Sequence, residues 1–229
     1  MNLAGRKGPQ LYVAGRCVFF SWFVFVCLFI AQIMGQAGGA QATVTTALTS
    51  IERELGMSAT LERLSNAVGN EACDELDDAL RVIQHCVNQL TEDQVWWRSS
   101  ESMNSVANLM LHLCGNLRQW IVSGVGGAAD IRERQREFDQ RSSARKTDLI
   151  QQIESAVADA KMALSGTPAE ELLRVRRIQG NDVTGMQAIF HAASHFRGHT
   201  QEIVHMTRCQ LGDFYAFDFI PTTAEQGAP

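Results

Sequence analysis

The stretch MQAIFHAASHFRGHTQEIV, residues 186–204, carries the pattern that decides the fold of this chain. Its apolar side chains recur every three or four residues, and each residue of an α-helix advances about 100° around the axis. We therefore predict one long helix that begins near Thr184, a good N-cap residue, and ends at Leu211 and Gly212. Its predicted core stripe consists of Met186, Ile189, Phe190, Ala193, Phe196, Ile203, Val204 and Leu211.

The same stretch contains His191, His195 and His199 at four-residue intervals, with His205 one turn and a half further on. A four-residue step turns only about 40° around a helix, so the three imidazoles share one face. His112 interrupts an otherwise apolar run on another predicted helix. Two ligands from one helix and a third from a facing helix are typical of metal sites in helical bundles. A solvated polar face is the alternative interpretation of the same row.

Helical periodicity continues through most of residues 70–212 and predicts an all-α, four-helix bundle. The charged stretch DIRERQREFDQR is interpreted as a connection, and Gly180, Asn181 and Asp182 as a turn. Thr91 and Gln94 have the spacing of a capping box for a short turn that holds Trp96 and Trp97. The predicted helices run from about Glu71 to Leu90, Ser105 to Ser123, Thr147 to Leu164 and Thr184 to Leu211.

The second predicted helix has an apolar stripe and a separate polar row. The stripe, which is expected to be its core face, consists of Val106, Leu109, Met110, Leu113, Leu117, Trp120 and Ile121. The polar row is Ser105, Asn108, His112 and Asn116, about 130° from the stripe. We therefore expect His112 to border the core rather than fill it, and Asn108 and Asn116 to line a pocket beside it. Arg118 lies about 120° from His112 and is less suited to reach it.

The composition excludes several classes of protein. The chain has 229 residues, 45% of them hydrophobic and 20% charged, with a formal net charge of −5. These are ordinary values for one globular domain with an appendage. Because no basic run is present, no nucleic-acid partner is expected. The six cysteines form no C-x-x-C pair, so neither a zinc ribbon nor a disulfide framework is indicated.

The first 56 residues allow two interpretations. Basic residues precede the uncharged run CVFFSWFVFVCLFIAQIM, residues 17–34, which is followed by small residues. Residues 1–42 are therefore expected to be a signal peptide or a membrane anchor through residues 16–34, so the protein would be exported or anchored. In the alternative, residues 1–56 are untranslated leader, translation starts at Met57, and the protein is cytoplasmic. With the signal peptide or anchor at residues 1–42, residues 43–69 are a linker or helix lead-in. In both interpretations residues 70–219 are the bundle and residues 220–229 a disordered tail.

Three stretches of the chain resemble the DinB-like superfamily, and more narrowly a branch of unknown function. They are WWRSSESMNSVANLMLHLCGNLRQWIVSGVGG (96–127), RIQGNDVTGMQAIFHAASHFRGHTQEI (177–203) and GDFYAFDF (212–219). The resemblance implies an up-down-down-up four-helix bundle, often a homodimer. The superfamily's metal triad falls on His112, His195 and His199, so His191 and His205 are not expected to be ligands.

The resemblance also implies a chemistry. Relatives include S-transferases and isomerases that use low-molecular-weight thiols, so the expected function is metal-dependent activation of such a thiol for attack on an electrophile. The expected cofactor is a divalent metal ion, zinc or nickel, because three neutral imidazoles leave its charge uncancelled and positions open. Glu202, three residues after His199, either orients an imidazole, completes the coordination or is simply exposed. A metal-dependent hydrolase and a non-catalytic metal- or ligand-binding stress protein remain the alternatives.

Overall fold

The computed structural model describes residues 38–142 and 144–219 and is mostly helical, which confirms the all-α class. The possible membrane anchor, residues 16–34, and the predicted disordered tail, residues 220–229, lie outside the described residues. In chain order the elements are α1 (Gly38–Gln89), α2 (Glu92–Trp96), α3 (Val106–Leu117) with a π-helical continuation (Arg118–Ser123), α4 (Arg134–Asp139), α5 (Lys146–Leu164), α6 (Ala169–Leu173), β1 (Val175–Ile178), β2 (Asn181–Thr184), α7 (Gly185–Leu211) and a 3₁₀ turn (Gly212–Phe214).

The chain divides into two compact units, residues 1–58 and residues 59–229. In the first unit the described residues are helical, and nearly all side chains from 46 to 58 are exposed. None of the helices within 38–142 and 144–219 is long and apolar enough to cross a membrane.

The second unit has one hydrophobic core, built from the apolar stripes of its long helices. Ile83 of α1, Leu109 of α3, Ile153 of α5 and Phe196 of α7 are all fully or almost fully buried. Helix α3 packs against both α5 and α7. Trp120, at the end of the α3 stripe, is 4% exposed, so its predicted core position is confirmed.

Side-chain caps fix where the helices begin. Thr91 and Gln94 form the predicted capping box of α2, and Thr184 forms one with Gln187 at the start of α7. Ser105 and Asn108 form a third capping box at the start of α3. In each box the two side chains satisfy backbone N–H groups that the first helical turn leaves unpaired.

Three local predictions were wrong. Helix α1 begins at Gly38 instead of near Glu71. The charged stretch contains helix α4, and the expected connection before α7 contains a two-stranded hairpin, β1 and β2. Its turn lies at Gln179 and Gly180, whose φ angles of 51° and 82° are those of a type I′ turn. Short elements of this kind lack the long apolar periodicity on which the prediction relied.

The predicted helix faces also need two corrections. Phe190 was placed in the core stripe of α7 but is 63% exposed, because the buried face is centred on Ala188, Ala192 and Phe196. His112 was expected to border the core but is only 5% exposed. It is buried because Arg132 and Glu137, from the connection after α3, lie directly against it.

Candidate metal centre

Three histidines from two helices meet at one point of the second unit. The ring centroids of His112 and His195 are 5.0 Å apart, those of His112 and His199 5.2 Å, and those of His195 and His199 4.5 Å. Their candidate ligand nitrogens all lie within 4.8 Å of one another, and the Nε2 atoms of His112 and His195 are 2.9 Å apart. Donors around one zinc ion with bonds of about 2.0–2.1 Å are spaced roughly 3–4 Å apart, so the arrangement suits a single ion.

The histidines meet because α3 and α7 run antiparallel past each other. His112 of α3 faces His195 of α7, and two turns later on α3 the ring of Trp120 stacks on His191, with centroids 3.8 Å apart. The contacts therefore advance along the chain in α3 while they go back along the chain in α7. The four-residue spacing of His195 and His199 brings both imidazoles to His112.

Glu137 of α4 holds the imidazole of His112. Its Oε2 atom lies 2.9 Å from His112 Nδ1. Because an ionised carboxylate only accepts hydrogen bonds, Nδ1 is the donor in this contact, and in the neutral ring that tautomer has its lone pair on Nε2. That nitrogen is the one directed at His195.

Arg132 in turn fixes Glu137. Its guanidinium donates from Nε to Oε1 at 2.7 Å and from Nη2 to Oε2 at 2.8 Å, while Nη1 donates to Gln119 Oε1 at 2.9 Å. Burial alone raises the pKa of Glu137, but the hydrogen bonds from Arg132 and His112 outweigh it and hold the pKa below its usual value. Glu137 is therefore an ionised acceptor for His112 at neutral pH.

Glu202 makes the equivalent contact with His199. Its Oε2 atom is 2.7 Å from His199 Nδ1, and its side chain is 42% exposed. Of the roles considered for Glu202, this contact fits orientation of the imidazole, although the side chain is also partly exposed. Two of the three histidines thus have Nδ1 engaged by a carboxylate, which leaves Nε2 as the atom that would bind an ion.

His195 is neutral at physiological pH. Burial, helped by the neighbouring rings of His199 and His112, lowers its pKa to about 4. A neutral imidazole is the form that coordinates metal. The three histidines therefore fit a divalent ion in geometry, and His195 fits it in protonation as well.

A cavity of about 330 Å³ opens onto the histidines from the solvent side of α7. It is called the histidine cavity below and is lined by His191, Ser194, His195, Gly198, His199 and Glu202. His191 lines this cavity but does not belong to the group of ligand atoms, and its own ring is exposed. His205 is exposed and lies 3.5 Å from the sulfur of Cys209.

Asn108 and Asn116, expected to line the pocket, are both buried beside His112 on α3. The amide of Asn108 donates to the backbone carbonyls of Glu137 and Gln140, at 2.9 and 3.2 Å, and thereby ties the α4 segment to α3. Asn116 Oδ1 has no hydrogen-bond partner among the described residues.

Glu137 and Arg132 were not among the residues predicted for the site. Both lie in the stretch interpreted as a connection, yet the side chain of Arg132 is only 3% exposed and that of Glu137 11%. One feature of the sequence pointed to close packing at this place. Gly115, within the α3 pattern LHLCGNL, has no side chain, and Glu137 and Arg132 pack in the space that this leaves. A glycine inside a helical pattern indicates close packing of this kind.

Comparisons with known proteins agree with this fold. Residues 64–222 match the model of the family described as "Protein of unknown function (DUF1572)". The chain is similar to a solved structure, the crystal structure of the conserved protein of locus from Enterococcus faecalis, with a TM-score of 0.51 and 19% identity over 61% of this chain and 94% of that chain. At this identity the likeness shows the fold alone. No curated protein matches the sequence significantly.

Proposed function

This chain belongs to the DUF1572 family of unknown function, and on that premise we propose that His112, His195 and His199 bind one divalent metal ion in an S-transferase site. The site would activate a low-molecular-weight thiol for attack on an electrophile. The observation that carries the proposal is the meeting of three imidazoles from α3 and α7, two of them oriented by carboxylates.

The donor set favours zinc or nickel. Neutral imidazole nitrogens suit both ions, and three protein ligands leave a position open for a small molecule. When bound, such an ion acts as a Lewis acid that lowers the pKa of a thiol placed at the open position. The histidine cavity gives that thiol a route from solvent.

A thiol suits this site better than water does. Hydrolysis by a metal-bound water commonly uses a free carboxylate as general base. In the described part of the chain, both carboxylates next to the triad are engaged, Glu137 by Arg132 and His112, and Glu202 by His199. A thiol needs less help, because its pKa is already close to neutral.

The proposed reaction transfers an organic group to sulfur. The thiol releases its proton to solvent, its sulfur forms a bond to the electrophilic carbon, and the leaving group departs with the electron pair of the bond that breaks. His112, His195 and His199 would hold the ion that lowers the pKa of the thiol, while Glu137 and Glu202 keep the imidazole rings in place.

We further propose that the long helices form an up-down-down-up bundle of the DinB-like type. Contacts of α1 support this order: Asp77 pairs with Lys161 and Gln84 with Glu154, so α1 and α5 run antiparallel. Arg197 pairs with Glu75 and the backbone of Ala216 with Gln89, so α1 and α7 run in the same direction. A homodimer is part of the same proposal.

A screen for conjugates tests the function. The full chain is incubated with a mixture of cellular thiols and the neutral aryl halide 1-chloro-2,4-dinitrobenzene, with zinc, with nickel or with chelator, and products are identified by mass spectrometry. We expect one thiol to give a metal-dependent conjugate that His112→Ala does not form. A metal-loaded protein that conjugates none of the thiols would instead be the non-catalytic binding protein. Metal-dependent formation of 2,4-dinitrophenol without conjugation would indicate the hydrolase.

A further inference from the structure

A second cavity, of about 510 Å³, lies between α1 and α7. It is called the apolar groove below and is lined by Ala67, Val68, Glu71, Ala72, Glu75, Ile189, Phe190, Ala193, Ser194 and Arg197. Most of these side chains are apolar. Three of them are alanines, whose small size leaves space between the helices. The exposed ring of Phe190, misplaced in the core by the sequence pattern, forms one of its walls.

The charged residues of the groove define which ligands it accepts. Arg197 pairs with Glu75 at 3.1 Å, so its positive charge is neutralised, and Glu71 adds a negative charge. An anionic group would therefore be repelled from the rim. An uncharged aliphatic or aromatic group fits both the apolar walls and this rim.

The apolar groove and the histidine cavity share Ser194. This residue immediately precedes His195, and its small side chain separates the two cavities on the surface of α7. A helix with side chains is about 10 Å across, so a molecule roughly 10 Å long that crosses Ser194 reaches both cavities.

We propose that the apolar groove binds the hydrophobic body of an uncharged electrophile whose reactive end lies in the histidine cavity. The inference rests on the proposed function of the three histidines, and it adds the class of the second substrate. The groove's volume lies within the range of about 300–1,000 Å³ that small-molecule sites have. A stable interface with a second chain takes about 20–30 residues on each side, many more than line this groove.

Binding of a neutral fluorescent probe to the metal-free full chain tests the groove separately from the metal site. N-phenyl-1-naphthylamine is titrated into the protein and displaced by 1-butanol, 1-hexanol and 1-octanol. We expect one probe per chain and alcohol affinities that rise about fourfold per methylene group. Because no metal is present, a failure of the metal or thiol proposal leaves this result unaffected.

Matched variants locate the probe. Ala193→Phe fills the groove and should weaken probe binding at least tenfold, whereas Ala158→Phe, on an exposed position of α5, should not change it. Phe190→Ala should weaken binding severalfold, and Phe214→Ala, at a side chain 90% exposed, should have no effect. Since Phe190 is itself exposed, its replacement should leave the fold intact.

Imidazole NMR signals test the link to the histidines. Bound 1-octanol should shift the ring signals of His195, while 1-butanol at equal occupancy should not, because it is too short to cross Ser194. Equal probe binding by the wild type and Ala193→Phe overturns the proposal. Ring signals of His195 that stay unchanged when 1-octanol is bound also overturn it. A third contradicting result is a wild-type dimer that binds no probe and that Phe190→Ala converts to monomers.

Discussion

Glu137 lies in a charged stretch of the sequence, and its side chain holds one histidine of the candidate site in position. It accepts a hydrogen bond from His112 and is held by two hydrogen bonds from the buried guanidinium of Arg132. The partner of His199, Glu202, is far more exposed and lacks such support. At the residue scale, the site therefore has one rigidly held imidazole and one that solvent reaches more easily.

This difference gives a testable ranking of two substitutions. Glu137→Gln keeps the size of the side chain but weakens the acceptor for His112, so metal affinity should fall about 10- to 100-fold. Glu202→Gln should cost less, because that carboxylate is partly exposed. Competition with a chromophoric chelator measures both affinities, and Glu137→Asp should restore part of the loss. Equal affinities in the wild type and Glu137→Gln would show that the carboxylate does not position His112.

The lowered pKa of His195 predicts a pH dependence for the metal-free protein. Its pKa is about 4 in the folded state, against 6.5 for an unperturbed histidine. Between these values the unfolded chain binds a proton that the folded chain does not. The free energy of unfolding should therefore fall as the pH is lowered from about 6.5 to about 4, by roughly 1–3 kcal/mol after allowance for solvent screening.

Urea unfolding at several pH values, with chelator present, measures this loss. His195→Asn removes the titrating group and serves as the control, so its stability should change less over the same pH range. If the two proteins lose stability in parallel, another group is responsible.

At the scale of single elements, the long helices of the second unit were predictable and the short ones were not. The starts of α3 and α7 follow from local chemistry. Ser105 and Thr184 are the N-cap residues, and each forms a capping box with the residue three positions further on. Helix α4 could not be predicted, because its position depends on Asn108 and Arg132, contacts that form only after the chain has folded back on α3. The same contacts bury His112, which helical phase alone placed at the edge of the core.

Gly115 is the position on α3 where this packing can be tested. A Cβ atom there would overlap Glu137 Oε1 and lie 2.8 Å from Arg132 Nε, so Gly115→Ala must displace the carboxylate of Glu137 from His112. We expect weaker metal binding together with a loss of about 1–3 kcal/mol in unfolding free energy. Gly56→Ala, a helical position with open space for a Cβ atom, is the control: metal affinity should stay the same, and the unfolding free energy should stay the same or rise by up to about 1 kcal/mol. An alanine at 115 that leaves metal affinity unchanged would mean that α4 does not hold His112.

At the scale of the whole molecule, the candidate site and the core lie within residues 59–229. The described side chains before residue 59 are nearly all exposed, so they add little to the core. A chain shortened to residues 59–229 should have a Tm within about 2 °C of that of the full chain. In a protein of this size, such a shift corresponds to a change of about 0.5 kcal/mol in the free energy of unfolding. Calorimetry of both chains measures the difference. A much larger drop would show that the first unit stabilises the second.

Metal content of single-histidine variants tests the central proposal most directly. Elemental analysis of the full chain, purified without chelator, should find close to one divalent ion per chain. His112→Ala, His195→Ala and His199→Ala should each remove it, because two remaining imidazoles hold the ion too weakly against water. His191 and His205 also lie on α7 but outside the triad, so His191→Ala and His205→Ala should keep the ion. Full occupancy in His112→Ala would contradict a site shared between α3 and α7, and the proposed thiol chemistry with it.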